Sequence, residues 1–135
     1  GLTILGIEEV ERQKLVKALR EKTNLPIEDG PLTLDMLRNW VPHVRTLIHC
    51  TPVGMSPRVE ESCVPTNLFR PELTVMDIVY NPRETKLLQE AKAAGCRTIS
   101  GLEMFLNQAV LQFELWTKQP APADVMRRVL ESRFG

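Results

Sequence analysis

Three short segments carry side chains of the types that bind small ligands, and each follows an apolar run. In CTPVGMSP, residues 50–57, the Thr51 hydroxyl precedes a proline and a glycine, which would let a flat ligand approach the backbone closely. Tyr80 ends the run LTVMDIVY, three residues after Asp77. Gln108 stands among apolar neighbours in a helical pattern. A hydroxyl, a phenol and an amide at such places could bind the polar groups of a small molecule.

Each of these residues also has a purely structural interpretation. Thr51 could belong to an ordinary turn, and Tyr80 could be a packed ring whose hydroxyl reaches water. An amide among apolar residues needs a hydrogen-bond partner, because burying it bare costs on the order of a few kcal/mol. For Gln108 that partner could be backbone or the polar end of a ligand. Residue types alone leave both interpretations open.

Cysteine and histidine chemistry is not favoured. Cys50, Cys63 and Cys96 are odd in number and form no CxxC pair, so we expect no disulfide framework and a reduced, cytoplasmic protein. His43 and His49 are poorly spaced for a zinc site. Adjacent strand residues point to opposite faces, so His49 and Cys50 are not expected to form a nucleophile pair.

Length and charge bound the remaining possibilities. The 135 residues suit one domain, which we expect over residues 1–135. Lys plus Arg equals Asp plus Glu, 17 each, which gives no electrostatic reason to expect nucleic acid or an anionic membrane as partner. No apolar run approaches the roughly 20 residues of a membrane span. The N-terminal segment turns acidic too early for a signal peptide.

Apolar runs alternate with helical patterns along the chain. Strands are predicted at residues 2–5, 45–51, 73–80 and 96–100, with a further short strand possible within 24–31. Helices are predicted over 8–24, 33–40, 82–94, 101–117 and after Pro122. The pattern of the first helix predicts a buried face of Val10, Leu15, Ala18 and Leu19. Residues 52–72, with four prolines, form a long loop of the kind that is usually functional.

Two helix starts carry capping-box patterns. In the first, Asn81 would cap, Pro82 would take the first helical position and Glu84 would complete the box, with Gly95 ending the helix. The second is Ser100 with Glu103. Strand–helix alternation predicts an α/β fold with a parallel sheet. Ligands of such sheets bind at the carboxyl ends of the strands, where Thr51, Tyr80 and Gly101 would lie.

Three segments in order resemble the shikimate dehydrogenases: TLIHCTPVGMSP at 46–57, DIVYNPRETKLLQEAKAAGC at 77–96 and GLEMFLNQAVLQFELW at 101–116. The resemblance covers about two-thirds of the chain, from Thr46 onward. The wording of MSPRVEES and GLEMFLNQA looks closest to forms fused behind a 3-dehydroquinate dehydratase domain.

The resemblance implies a Rossmann-like parallel sheet flanked by helices and an NADP-dependent oxidoreductase of the shikimate pathway of aromatic amino acid biosynthesis. The reaction would interconvert 3-dehydroshikimate and shikimate, with this chain supplying the nicotinamide side of the cleft. It implies cofactor contacts from Thr51, Pro52, Ile78, Gly101 and Met104. It implies substrate contacts from Tyr80 and Gln108. The family's catalytic Lys and Asp come from an N-terminal substrate domain that no segment here resembles, so no catalytic residue is assigned and the chain alone is expected to be inactive.

The departures from the family concern the nucleotide site. The first strand of the nucleotide domain and its Gly-rich turn are lacking, so the usual pyrophosphate cradle is missing. The sheet would then close up in a changed order, or take a strand from another chain, or belong to a longer protein, which we favour. Where the family has an Asn-Arg-Thr-like turn for the 2′-phosphate, this chain has Gly6, Ile7 and Glu8, and Glu8 with Glu9 would repel a phosphate. His49 and Cys50 replace the usual Asn-Ala.

These departures keep other functions open. A non-catalytic remnant acting as a binding or assembly module is one alternative. A quinate dehydrogenase relative is another.

Overall fold

The computed structural model describes residues 1–134, in which parallel strands alternate with helices. The strands are β1 (Leu2–Gly6), β2 (Ile27–Pro31), β3 (Thr46–His49), β4 (Thr74–Asp77) and β5 (Arg97–Ile99). The helices are α1 (Glu9–Lys22), α2 (Leu34–Trp40), α3 (Lys86–Ala93), α4 (Gly101–Thr117) and α5 (Ala123–Phe134). The chain divides into two compact units, Gly1–Val44 and Arg45–Gly135. The α/β class with parallel strands and flanking helices is confirmed.

In the first unit, β1 pairs in parallel with β2, from Leu2 opposite Ile27 to Gly6 opposite Pro31. The possible short strand within 24–31 is thus a full partner of β1. Helix α1 forms the crossover between them, as a parallel pair requires.

The predicted buried face of α1 is wrong. Val16 is its one buried residue, whereas Val10 and Leu15 are exposed. The buried face of the helix instead carries Val16 and, one turn before it, Arg12. Arg12 donates from Nη1 to the Gly6 carbonyl at 2.9 Å and from Nε to Asp29 at 3.0 Å. A charged side chain that satisfies the end of β1 can lie on the inner face, which hydrophobic periodicity does not foresee.

The second unit holds a parallel sheet of order β3-β4-β5. Strand β4 is central, and Val75 and Asp77 along it are completely buried, as is Leu73 just before it. Its register sets His49 of β3 directly opposite Asp77. A carboxylate at the buried end of the central strand needs compensation, because an unpaired buried charge is costly.

The predicted capping boxes are not the ones used. Thr85 caps α3 by accepting from the Leu88 amide at 3.4 Å, while the Asn81–Pro82 bond is cis and precedes the helix in a turn. Proline after Asn81 therefore marks the turn rather than the first helical residue. The helix ends as predicted before Gly95, whose φ of +81° suits glycine.

Ser100 precedes α4 but its side chain makes no cap hydrogen bond. The predicted box fails there because Glu103 forms a two-armed pair with Arg127 of α5. Helix α4 spans the predicted residues up to Thr117, and α5 follows Pro122 as predicted. Helix α5 buries none of its described residues. Its contacts include the ion pair of Arg127 with Glu103 and the packing of the Phe134 ring against Tyr80.

In the described part of the chain, no helix is both long enough and apolar enough to cross a membrane.

Candidate functional site

Three chain segments leave one edge of the sheet β3-β4-β5. Thr51 follows the end of β3 by two residues, and Ile78 to Tyr80 follow the end of β4. Gly101 opens α4 two residues after β5 ends. Because the three strands are parallel, their carboxyl ends meet at the same edge. The predicted convergence of strand ends therefore holds in this sheet.

Gly101 lets α4 lie directly on the segment that follows β4. A Cβ at this position would collide with the carbonyl oxygens of Ile78 and Val79. The residue is buried, and only glycine permits so close an approach of two backbones. The absence of a Cβ at Gly101 therefore allows the short distance between Ile78 and the start of α4.

Tyr80 combines the two interpretations that its residue type left open. Its ring stacks on Phe105 of α4, with centroids 4.9 Å apart and an interplanar angle of 17°. The ring of Phe134 meets it edge-on at 5.5 Å. With 36% of the residue exposed, the side chain is anchored by its ring while part of it faces solvent. A fixed phenol beside open space is suited to hydrogen-bond a ligand.

The α4 residues implied in binding follow Gly101 at helical spacing. Met104 is half-buried, and Gln108 lies one turn beyond it. Gln108 also lies three residues after Phe105, on the face that carries the Tyr80 ring. The expectation that Gln108 is a buried amide is wrong, since its side chain is exposed and water can satisfy it. Its amide is thereby accessible to a ligand without having been desolvated.

The most developed polar network of the sheet lies under the Thr51 turn. Nδ1 of His49 lies 2.9 Å from Oδ1 of Asp77, and Nε2 of His49 hydrogen-bonds Oγ of Thr51. The Val79 amide donates to Oδ1 of Asp77 at 3.0 Å. The Thr85 hydroxyl donates to Oδ2 at 2.6 Å. His49, Asp77 and Thr85 are almost fully buried, so the network holds together the ends of β3 and β4 and the start of α3.

Burial of His49 disfavours its charge, yet hydrogen bonds to Asp77 and Cys63 outweigh this and raise its pKa to about 9. The imidazole is accordingly charged near neutral pH. Cys50 is exposed, as expected for the residue after an inward-facing histidine. Cys63, from the long loop, is the cysteine that lies beside the ring.

Sequence reasoning missed this network, since the resemblance implies no role for Asp77 beyond support of the turn after β4. The partners are 28 residues apart, and their contact depends on the β3–β4 register. A signal was present, because an aspartate inside a run as apolar as LTVMDIVY requires donors.

The turn after Thr51 has a defined shape. The Val53 amide donates to the Thr51 hydroxyl oxygen at 3.3 Å, and the Met55 amide donates to the Pro52 carbonyl at 3.2 Å. Gly54 has a φ of +80° and is buried, with the Glu61 carbonyl 3.1 Å from where a Cβ would be. Pro52 is exposed on this turn.

In the first unit, the turn after β1 offers no basic side chain to a phosphate among its own residues. Glu8 and Glu9 are exposed, and Glu8 makes no side-chain cap hydrogen bond. The guanidinium of Arg12 is already held by Asp29 and the Gly6 carbonyl. The acidic character expected of this turn is thus present at the surface.

A hollow of about 470 Å³ in the second unit lies elsewhere. It is bordered by α3, β5 and Glu103, and none of Thr51, Tyr80 and Gln108 lines it. Most of its charged rim is already in ion pairs: Lys92 lies 3.1 Å from Glu84, and Glu103 is paired with Arg127 of α5. We therefore assign the candidate site to the strand ends.

Parallel strands flanked by helices, with a turn, an aromatic residue and a glycine at the strand ends, define a Rossmann-like α/β arrangement. Residues 101–131 match the family model described as the shikimate 5′-dehydrogenase C-terminal domain. The chain is related to the shikimate dehydrogenases over nearly its whole length, which confirms the resemblance seen in the three motifs.

Individual relatives give the extent of this similarity. The NADP⁺ shikimate dehydrogenase of Moorella thermoacetica is 48% identical over 99 residues, covering 73% of this chain and 34% of the relative. That of Dehalococcoides mccartyi strain CBDB1 is 45% identical over 130 residues, covering 96% of this chain and 46% of the relative. The shikimate 5-dehydrogenase of Listeria monocytogenes, solved with shikimate and NAD, superposes with a TM-score of 0.88 at 32% identity, over 95% of this chain and 46% of that one. The chain thus spans less than half the length of these relatives.

Proposed function

We propose that this chain is the nicotinamide-binding portion of an NADP-dependent shikimate dehydrogenase. The observation that carries the proposal is the close packing of Gly101 on the backbone after β4, which sets Ile78, Tyr80 and the exposed face of α4 together at the carboxyl edge of a parallel sheet. The relationship to NADP⁺ shikimate dehydrogenases supports the choice of reaction.

The cofactor would be held on this edge by Thr51 and Pro52 after β3, Ile78 after β4, and Gly101 with Met104 on α4. When bound, it supplies or accepts the hydride exchanged with the alcohol or ketone carbon of the substrate. The chain's own residues position and shield the reacting groups. The half-buried side chains of Ile78 and Met104 offer apolar surface to a flat ring.

The substrate would be bound by Tyr80 and Gln108. The phenol is anchored by its stack on Phe105, and the amide lies on the same face of α4. One fixed hydroxyl and one solvated amide suit a polyhydroxylated ring such as shikimate, because each can donate and accept.

The acid–base step is assigned to another part of the enzyme. The family takes its catalytic Lys and Asp from an N-terminal substrate domain, which would be the partner of this chain. We place the enzyme in the cytoplasm, on the pathway to aromatic amino acids. The chain alone should therefore bind nucleotide without turning over substrate.

Calorimetric titration of NADP⁺ into the purified chain tests the proposal, with NAD⁺ titrated in parallel. Saturable binding of NADP⁺ is expected, together with no shikimate-dependent NADP⁺ reduction. Absence of binding to a chain shown to be folded by circular dichroism would contradict the nicotinamide site. Measurable turnover would contradict the placing of the acid–base pair elsewhere.

A second measurement concerns the substrate clamp. Shikimate added with NADP⁺ should shift the side-chain amide resonances of Gln108, while those of the exposed Gln119, beyond the end of α4, should stay in place. Equal shifts at both residues would indicate non-specific association and contradict the assignment.

The acidic turn after β1 favours one alternative, namely NAD⁺ in place of NADP⁺. Glu8 and Glu9 are exposed there, and carboxylates repel a 2′-phosphate. The parallel NAD⁺ titration decides this point, since tighter binding of NAD⁺ would favour a NAD-dependent relative, as the quinate dehydrogenase hypothesis also allows.

A further inference from the structure

The Thr51 hydroxyl is set by a chain of hydrogen bonds that begins in the core. Oδ2 of Asp77 accepts from the Thr85 hydroxyl at 2.6 Å, and Oδ1 accepts from the Val79 amide at 3.0 Å. With donors on both oxygens, the Asp77 carboxylate acts as an acceptor. Nδ1 of His49, 2.9 Å from Oδ1, must therefore carry its hydrogen and donate.

Whether Nε2 of His49 carries a hydrogen decides whether the Thr51 hydroxyl can donate a hydrogen bond to a ligand or can only accept one. If Nε2 carries a hydrogen, it donates to Oγ of Thr51, which also accepts from the Val53 amide at 3.3 Å. Both lone pairs of the hydroxyl are then used, and its proton is left for a ligand. If Nε2 lacks a hydrogen, Thr51 donates inward to His49 and offers a ligand only an acceptor.

The groups around the ring favour a protonated Nε2, the state in which the Thr51 hydroxyl is free to donate to a ligand. Asp77 faces it from β4 and Cys63 from the long loop. Both raise the pKa of His49 against the effect of burial, to about 9. Thr51 itself is half-buried, so part of the residue remains accessible.

We infer that His49, clamped by Asp77, is a positioning residue that makes the Thr51 hydroxyl a hydrogen-bond donor, so that the turn after β3 selects a ligand group presenting an acceptor oxygen. Under the proposed function, on which this inference rests, that group is a ribose or carboxamide oxygen of the nicotinamide nucleotide. The hydroxyl would discriminate against a ligand that offers only a donor, since two donors cannot pair.

Nuclear magnetic resonance of the His49 ring nitrogens in the full 135-residue chain tests the donor assignment without any cofactor. Both nitrogens should be protonated near neutral pH, and Nε2 should lose its proton only as the pH approaches about 9. An unprotonated Nε2 near neutral pH would overturn the inference, because Thr51 would then donate inward.

Calorimetry with NADP⁺ and with nicotinamide mononucleotide tests the consequence for binding. Thr51→Val, which keeps the shape but removes the hydroxyl, should weaken binding of both probes by about fivefold, the value of one hydrogen bond. Thr51→Ser, which keeps the hydroxyl, should recover most of the binding that Thr51→Val loses. Thr66→Val, at an exposed threonine of the same unit, is the matched control.

His49→Asn tests the positioning role. Its amide nitrogen can replace Nδ1 toward Asp77 but does not reach Thr51, so the loss should match that of Thr51→Val, and the double variant should lose no more. Additive losses, or unchanged binding by Thr51→Val, would contradict the inference. If the unchanged chain fails to bind NADP⁺, the proposed function fails with the ligand assignment, while the ring resonances still decide the donor assignment.

Discussion

Tyr80 and Phe105 stack face to face, with centroids 4.9 Å apart and planes inclined by 17°. The contact joins the segment after the central strand to the second turn of α4. It gives Tyr80 a fixed direction although the residue is more than a third exposed. The same side chain thereby serves the packing of the unit and remains available to a ligand.

Replacing Tyr80 separates these two roles. Tyr80→Phe keeps the ring, so its free energy of unfolding should stay within about 0.5 kcal/mol of the unchanged chain. Tyr80→Ala removes contacts to two aromatic rings and should cost about 1 to 3 kcal/mol. Urea titrations followed by circular dichroism measure both. Equal stability of the alanine and phenylalanine variants would mean that the ring contacts contribute nothing.

Gly101→Ala should destabilise the chain by about 1 to 3 kcal/mol, because the new methyl group would meet the carbonyls of Ile78 and Val79. Backbone cannot yield as a flexible side chain does. Gly6→Ala is the control, since its Cβ would lie 3.8 Å from the nearest atom of Arg12, an ordinary contact. Chemical denaturation of both variants checks the prediction, which fails if the two lose similar stability.

Stability should fall as the pH rises above neutral because of His49. Its pKa in the folded state, about 9, exceeds the ordinary 6.5, so protonation favours the folded state. This contribution, on the order of 3 kcal/mol, is full below about pH 6.5 and is lost as the pH rises through about 9.

Unfolding measured across this window in the unchanged chain and in His49→Asn should show the slope only in the former. His43→Gln is the control, because His43 is exposed in the short helical turn after α2. A slope that survives in His49→Asn would assign the effect to another group.

The pair of Glu103 and Arg127 should hold α5 on α4. A hydrogen bond from Arg127 lowers the pKa of Glu103, so this stabilisation is present above the carboxyl's ordinary pKa and is lost as the pH falls through the lowered value. Glu103→Gln should speed hydrogen exchange in α5 and leave β4 unaffected. The difference should shrink in high salt, since both side chains are 43% exposed. Equal hydrogen exchange in the variant and the unchanged chain would show that the pair does not stabilise α5.

The sequence determined the α/β class, the order of its main elements and the segments from which the site is built. Apolar runs such as LTVMDIVY predicted buried strands, of which β4 takes the first half of the run, and the glycines and prolines between patterns marked the turns. The predicted strand ends also indicated Thr51, Tyr80 and Gly101 as neighbours at one sheet edge, and the resemblance added Gln108 on the long helix. These signals are local, or follow from the geometry shared by all parallel sheets.

Only the tertiary structure decided the contacts across the sheet and between helices. The β3–β4 register brought His49 to Asp77, and the packing of α5 drew Glu103 away from a capping box. Arg12 took an inward place on α1 because the end of β1 and Asp29 offered it acceptors. In each case a polar side chain was directed by a partner distant in sequence, and the energy of that pairing exceeded the local preference.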